Sequence, residues 1–138
     1  LKDKNINFSI KIVGKGRKKE QEIRNNFKDF QEVEFVGYQK NPYPYVKYAD
    51  YLVQLSDDES WCNSITEAKI LGTPVIVTNF ESSKEQITNL ENGIVIDLLD
   101  NNFEKYIEPI LNNKQKLKDN LTDFHYENEL NEWLHLFN

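Results

Sequence analysis

Two glutamates stand eight positions apart in a segment that follows a predicted strand and opens a predicted helix. Glu59 lies just before the expected helix start near Ser60, and Glu67 lies about two turns into that helix. A carboxylate accepts two hydroxyl hydrogen bonds at once, so each glutamate could hold a diol. Between them, the N–H groups of residues 60–63 are expected to point outward at the helix start, where an anion is stabilised. Hydroxyl, anion and hydroxyl recognition in this order suits a sugar–diphosphate–nucleoside.

The same acidic segment has a plainer interpretation. In this interpretation Asp58 and Glu59 complement the helix dipole and do nothing else, and Glu67 is a solvated surface residue. Ile65 and Ala68 flank Glu67, and a buried-looking strand follows. These neighbours favour the binding interpretation for Glu67.

A second turn carries two glycines, Gly14 and Gly16, directly after a predicted strand and directly before a predicted helix. Glycines let the backbone approach a ligand closely, and the helix start presents unpaired N–H groups beside Lys15 and residues 17–19. Such a turn suits a diphosphate. It could equally be an ordinary tight turn, because the third glycine of the dinucleotide fingerprint is absent.

Other titratable residues have structural interpretations. Asp57 with Asp58 resembles half of a metal-binding D-x-D, but loop charge at a helix start explains the pair better. His125 and His135 are expected on the surface of a helical tail, and Cys62 is expected to be a pocket-lining thiol. The sequence therefore predicts no metal site.

Alternation of short β-branched runs with helical patterns predicts the elements that position these residues. Several strands are apolar on both faces, as a buried parallel sheet requires. We therefore predict a right-handed, doubly wound α/β sheet with a helical tail over residues 101–138 of the same domain. Strands are predicted at 8–13, 33–36, 51–55, 74–78 and 93–97, and helices at 17–30, 60–72 and 82–93, the last with a serine N-cap.

Composition limits the class of protein. The chain has 138 residues, with 17 Lys and Arg against 23 Asp and Glu, for a net charge of −6. An acidic chain without a basic stripe is a poor candidate for binding nucleic acid. One cysteine excludes an internal disulfide framework and indicates a reducing compartment. We expect one domain over residues 1–138, part of a longer cytoplasmic protein, with no membrane-spanning segment.

The acidic segment, read as E-x7-E-A followed by G-x-P-V and an apolar run over residues 59–78, resembles a known pattern. It is similar to the donor-binding domain of retaining GT-B glycosyltransferases of the family 4 type. The V-G-x-G of residues 13–16 and the V-E-F-V-G of residues 33–37 occur in the right order. The stretch 41–45 is similar to one in bacterial members that build capsular and other surface polysaccharides.

The resemblance implies a role for each matching residue. The glutamate matching Glu67 binds the ribose hydroxyls of a nucleotide sugar, and the one matching Glu59 contacts the transferred sugar as the catalytic residue. Backbone N–H groups of the intervening turn meet the sugar and diphosphate, and the two glycines face the phosphates. The implied substrate-binding residues are Gly14, Gly16, Ser60, Trp61, Cys62, Asn63 and Glu67.

The resemblance also implies the chemistry of the parent protein. Transfer keeps the anomeric configuration through front-side attack, and the nucleotide-diphosphate sugar is a substrate, with no cofactor or bound metal. The Rossmann-like half of a GT-B fold needs an acceptor domain, and its first strand–helix unit supplies cationic side chains for the diphosphate. We expect both to be missing from this chain, which should bind donor weakly and catalyse nothing alone. Any contact with the inner membrane face would come from the full-length cytoplasmic protein.

Departures from the family pattern and rival functions stay open at this point. Ser60 stands where the family usually has glycine, and Trp61-Cys62-Asn63 replaces a more usual Phe and small residues, so the donor sugar is not defined. A GT-B nucleotide-sugar epimerase is one rival, although its catalytic acids and histidines are not found. A non-catalytic nucleotide-binding or regulatory α/β module is another, as is a degenerate donor domain.

Overall fold

The computed structural model describes residues 5–16, 20–57, 59–97, 99–100 and 102–122. Strands and helices alternate along this part of the chain, as predicted. The strands are β1 (Ile10–Val13), β2 (Val33–Gly37), β3 (Leu52–Gln54), β4 (Val75–Thr78) and β5 (Gly93–Ile96). The helices are α1 (Glu20–Asn26), α2 (Tyr43–Lys47), α3 (Asn63–Ile70), α4 (Ser83–Gln86) and α5 (Glu104–Thr122).

The chain divides into two compact units, residues 1–45 and residues 46–138. The first contains a two-stranded parallel sheet in which β1 pairs with β2 and Ile10 lies opposite Val33. The register shifts after Ile12, so that Val13 lies opposite Gly37. Gly37 then accepts a hydrogen bond of 2.8 Å from the Gly14 N–H, which closes the end of this small sheet.

The second unit contains a three-stranded parallel sheet in the order β3-β4-β5. All four residues of the central strand β4 are buried, which explains its unbroken run of Val, Ile, Val and Thr. Val75 pairs with Leu52 on one side and with Gly93 on the other. The predicted parallel strands are confirmed at all five positions, with bounds that differ by one or two residues.

Helices cover both faces of this three-stranded sheet. Successive residues of a strand point to opposite faces. Val75 and Val77 pack in one cluster with Ile65 and Ala68 of α3, whereas Ile76 packs in the other with Leu117 of α5. The second unit therefore has helices on both faces, the arrangement expected of a doubly wound α/β sheet.

The helical predictions differ from the structure in their bounds or extend beyond it. The predicted helix over residues 17–30 ends at Asn26, and residues 27–29 form a turn. The predicted helix over residues 82–93 ends at Gln86, because Ile87 is extended and Asn89 forms a bridge with Gly93. The Asn92 side chain accepts the Thr88 N–H there, which competes with helix formation, and the Asn89 side chain accepts the Val95 N–H of β5. The predicted tail is helical from Glu104 to Thr122, and His125 and His135 lie outside the described residues.

Within the described ranges, none of the helices combines the length and the apolar character needed to cross a membrane.

Candidate functional site

The carboxyl ends of β3, β4 and β5 lie along one edge of the three-stranded sheet, because the strands are parallel neighbours. Open α/β sheets bind ligands at this edge. The segment between β3 and α3 leaves the sheet here and carries both glutamates singled out from the sequence. We therefore take this segment, residues 55–67, as the candidate site.

Glu59 is half-buried and held by two hydroxyl groups. Its Oε1 accepts a hydrogen bond of 3.1 Å from Ser56 Oγ, which itself accepts one of 2.7 Å from Gln54 Nε2. The backbone carbonyl of Glu59 accepts a hydrogen bond of 2.7 Å from Ser82 Oγ. The Oε2 atom has no hydrogen-bond partner among the described residues, so one carboxylate oxygen stays available to a ligand.

The buried Thr78 at the end of β4 fixes the start of the segment. Its Oγ1 accepts a hydrogen bond of 2.9 Å from the Ser56 N–H and donates one of 2.5 Å to the Ser56 carbonyl. A single hydroxyl therefore satisfies both backbone groups of Ser56. This anchor ties the segment to the central strand and sets the position from which Glu59 projects.

The start of α3 differs from the sequence prediction. The helix begins at Asn63 rather than near Ser60, so Glu67 is its fifth residue and lies little more than one turn in. Cys62 is the N-cap, with φ −96° and ψ 96°, and its thiol makes no capping hydrogen bond. The helix begins late because the Cys62 backbone is extended and its N–H is bonded to the side chain of Gln86. The Cys62 carbonyl accepts both the Gln86 amide and the Ile65 N–H of the first turn.

The backbone N–H groups of the turn are therefore not equivalent. The Cys62 N–H donates a hydrogen bond of 3.2 Å to Gln86 Oε1, which corrects the expectation that all four N–H groups of residues 60–63 point outward. Those of Ser60, Trp61 and Asn63 donate to no other group in the part of the chain that the structure describes. These three could meet an anionic or hydroxylated ligand at the positive end of α3.

Glu67 is half-buried on α3, between the buried residues Ile65 and Ala68 on its own helix. Its carboxylate forms neither a hydrogen bond nor an ion pair with any described residue. A half-buried carboxylate without a protein partner retains its full capacity to accept hydroxyl groups. This environment does not match a fully solvated surface glutamate, the plainer interpretation considered above.

The other predicted site residues lie in varied environments. Trp61 is 44% exposed, Asn63 and Ser60 are exposed, and the thiol of Cys62 is buried. Asp57 is exposed and Asp58 lies outside the described residues. No group of three or more His, Cys, Asp or Glu side chains within the described ranges could hold a metal ion.

The glycine turn belongs to the first unit, whereas both glutamates belong to the second. Gly14 has φ +127°, which requires glycine, and its N–H is already bonded to the Gly37 carbonyl. Lys15 and Gly16 are exposed, and residues 17–19 lie outside the described ranges. The phosphate-binding role of Gly14 and Gly16 stays a prediction.

Sequence reasoning missed the contribution of α4. Ser82 was expected to cap this helix with its side chain, but its hydroxyl donates to Glu59 instead, and Ser82 itself has helical angles. Gln86 had no predicted role, although its side chain is buried against the turn at Cys62. Serine and glutamine in a short segment between two buried strands were the only available signal.

The same sheet edge also borders an open cleft of about 380 Å³. It lies beyond β4 and β5 and is lined by Asn79, Lys84, Ile87, Asn89, Val95, Ile96, Asp97 and Tyr106. Tyr106 accepts a hydrogen bond of 2.9 Å from the Asp97 N–H across it.

Comparison with known proteins gives matches to glycosyltransferases. The Glycosyl transferases group 1 family matches residues 1–127. Over 80 residues the chain is 34% identical to the lipopolysaccharide core biosynthesis glycosyltransferase LpsE of Rhizobium meliloti (strain 1021), an overlap covering 57% of this chain and 24% of LpsE.

Solved structures of glycosyltransferases share the fold of this chain. A glycosyltransferase from Rickettsia africae ESF-5 superposes with a TM-score of 0.73 at 19% identity, covering 99% of this chain and 41% of that one. Anabaena Alr3699/HepE in complex with UDP-glucose superposes with a TM-score of 0.70 at 19% identity, covering 83% and 34%. The α/β fold predicted from the sequence is confirmed by these GT-B structures. The chain spans less than half the length of each of these three relatives.

Proposed function

We propose that this chain, which belongs to the Glycosyl transferases group 1 family, binds the nucleotide-sugar donor of a sugar-transfer reaction. The observation that carries the proposal is the turn between β3 and α3. Among the described residues, Glu59 and Glu67 each have a carboxylate oxygen without a hydrogen-bond partner, and the three N–H groups between them are likewise unpaired. Family membership and the GT-B fold indicate a transferase, and the assignment of donor binding to these residues is our inference.

Each group of the turn has a role that its chemistry allows. The Glu67 carboxylate accepts both hydroxyls of the ribose, a bidentate contact that suits the spacing of a diol. The N–H groups of Ser60, Trp61 and Asn63 donate to oxygens of the diphosphate and sugar at the positive end of α3. Glu59 contacts the transferred sugar through Oε2. Complexes of Anabaena Alr3699/HepE with UDP and with UDP-glucose support a uridine nucleotide as the ligand to test first.

For the whole protein we propose a retaining, family 4 type transfer to a growing surface glycan. Preorganised N–H groups and the helix dipole stabilise charge that develops on the leaving diphosphate. The name of LpsE, a lipopolysaccharide core biosynthesis glycosyltransferase, supports an acceptor of the surface-glycan class. We propose a bacterial, cytoplasmic enzyme in which another domain supplies the acceptor site, with the capsule as one destination of the glycan. The 138-residue chain by itself should not transfer sugar.

The test is an amide NMR titration of the labelled chain with UDP, UDP-glucose and GDP. We expect saturable shifts at residues 59–67 and a loss of affinity of about tenfold or more in Glu67→Gln, the size expected when a charged hydrogen-bond acceptor is removed. Glu108→Gln is the matched control, because Glu108 is exposed on α5. Equal affinities of Glu67→Gln and of the unmodified chain for UDP-glucose would contradict the proposed role of Glu67.

A further inference from the structure

The side chain of Gln86 is 4% exposed and bonded to the turn that precedes α3. Its Oε1 accepts the Cys62 N–H at 3.2 Å, and its Nε2 donates to the Cys62 carbonyl at 3.1 Å. The same Nε2 lies 3.3 Å from Thr66 Oγ1, on the following turn of the helix. One buried amide therefore satisfies both backbone groups of the N-cap residue and reaches the helix itself.

The segment that carries Gln86 is also hydrogen-bonded to residues on both sides of the turn before α3. Ser82, just before α4, donates its hydroxyl to the Glu59 carbonyl at 2.7 Å. Lys69 of α3 is buried and donates from Nζ to the Gln86 carbonyl at 3.2 Å. Residues 82–86 are thus bonded to Glu59 before the turn and to α3 after it, and Gln86 contributes both a side-chain and a backbone contact.

We propose that Gln86 is a positioning residue that orients the N–H groups of Ser60, Trp61 and Asn63 toward the donor by holding the Cys62 backbone between them. The inference rests on the proposed donor-binding function and adds a residue to it. By taking up the Cys62 N–H, Gln86 leaves those of Ser60, Trp61 and Asn63 for the ligand. Its own side chain does not need to touch the donor for this effect.

The chemistry of the contact explains why glutamine stands there. The Cys62 backbone offers one donor and one acceptor, so its partner must present an acceptor and a donor on a single planar group. A primary amide does so at every pH. A carboxylate presents acceptors only and would face the Cys62 carbonyl without a proton, whereas a protonated carboxyl group presents one of each. Leucine would fill the volume and leave the Cys62 N–H unpaired, whereas the Cys62 carbonyl would keep the Ile65 N–H at 3.1 Å.

The experiment compares Gln86→Glu and Gln86→Leu with Glu85→Gln, an exposed position on the same helix. UDP-glucose affinity and the Cys62 amide proton shift are measured by NMR over a pH range from about 9 to about 6, across which a buried glutamate titrates. We expect about tenfold weaker binding in both Gln86 variants at high pH, the size of one lost buried hydrogen bond. In Gln86→Glu alone, affinity and the Cys62 shift should return together as the pH falls.

Each outcome decides the inference. If UDP-glucose binds the unmodified chain and Glu67→Gln weakens it, while both Gln86 variants bind as tightly as the unmodified chain, the positioning role is wrong and the donor site stands. If the unmodified chain does not bind UDP-glucose, the proposed function fails and the inference fails with it. Should the Gln86 variants not fold, Thr66→Val removes one of the three contacts of the amide. A Cys62 shift without any change in affinity would then overturn the proposal.

Discussion

Replacing Gly93 with alanine tests how closely the strands of the three-stranded sheet pack. Gly93 is buried at the start of β5, opposite Val75, and its φ is not in the left-handed region. A Cβ at this position would lie 2.8 Å from Val75 Cγ2 and 2.9 Å from the Val75 carbonyl oxygen. It would also lie 3.1 Å from Ile87 Cγ2. A methyl group can rotate away, but the carbonyl belongs to the backbone of β4, so the two strands must move apart.

Two opposing effects set the size of the change. Overpacking a core costs about 1–3 kcal/mol, whereas replacing an unstrained glycine with alanine stabilises the fold by about 0.4–1 kcal/mol through the unfolded chain. Because one of the clashing atoms is backbone, we expect the steric effect to win, with a net loss of about 1–2 kcal/mol in the free energy of unfolding. Urea denaturation should show a lower midpoint with an unchanged slope.

Gly72 is the control, because its backbone conformation restricts substitution there, whereas at Gly93 the lack of space does. Its φ is +71°, and a Cβ there would meet nothing within 4 Å. Asparagine tolerates the left-handed region, so Gly72→Asn should be milder than Gly72→Ala. At Gly93 the order should reverse, because the larger side chain makes the crowding worse. A Gly93→Ala chain as stable as the unmodified one would refute the argument from strand spacing.

Two further predictions concern buried hydroxyl groups. Tyr51 donates a hydrogen bond of 2.7 Å to the Ile110 carbonyl, so Tyr51→Phe should cost about 1 kcal/mol of unfolding free energy. Burial raises the pKa of Tyr51 to about 12 from 10.0, so the native stability it supports is present below pH 10 and lost as the pH rises toward 12. Urea denaturation across that range should show a smaller decline in Tyr51→Phe, and equal declines would contradict the assignment. Thr78→Val removes the only hydroxyl that satisfies both backbone groups of Ser56 within the described residues and should cost about 1–3 kcal/mol, whereas Thr78→Ser should cost much less. Equal losses in the two Thr78 variants, measured by the same assay, would show that the hydroxyl does not hold the segment.

Elements that follow from the local order of apolar and polar residues could be predicted from the sequence. The apolar run of β4, bounded by Pro74 and Asn79, is buried on both faces because helices cover both faces of the sheet. The position of the β3–α3 turn followed from the same alternation of strands and helices. Glu59 and Glu67 could be singled out because their type and spacing are properties of the chain alone.

Long-range polar contacts could not be predicted in the same way. The hydrogen bonds between Gln86 and Cys62 join residues 24 positions apart, and nothing local in the segment around Gln86 indicates them. They also explain why α3 starts later than the sequence predicts, since the extended Cys62 backbone, with its N–H bonded to this amide, forms the N-cap. The short length of α4 has a similar cause, because the Asn92 side chain accepts the Thr88 N–H, which a longer helix would use.

A crystal structure of the chain with UDP-glucose tests the central claim most directly. The account predicts both ribose hydroxyls within hydrogen-bond distance of the Glu67 carboxylate, with oxygens of the diphosphate and sugar at the N–H groups of Ser60, Trp61 and Asn63. A nucleotide bound in the cleft beside Asp97 and Tyr106, with Glu67 free of ligand, would contradict it.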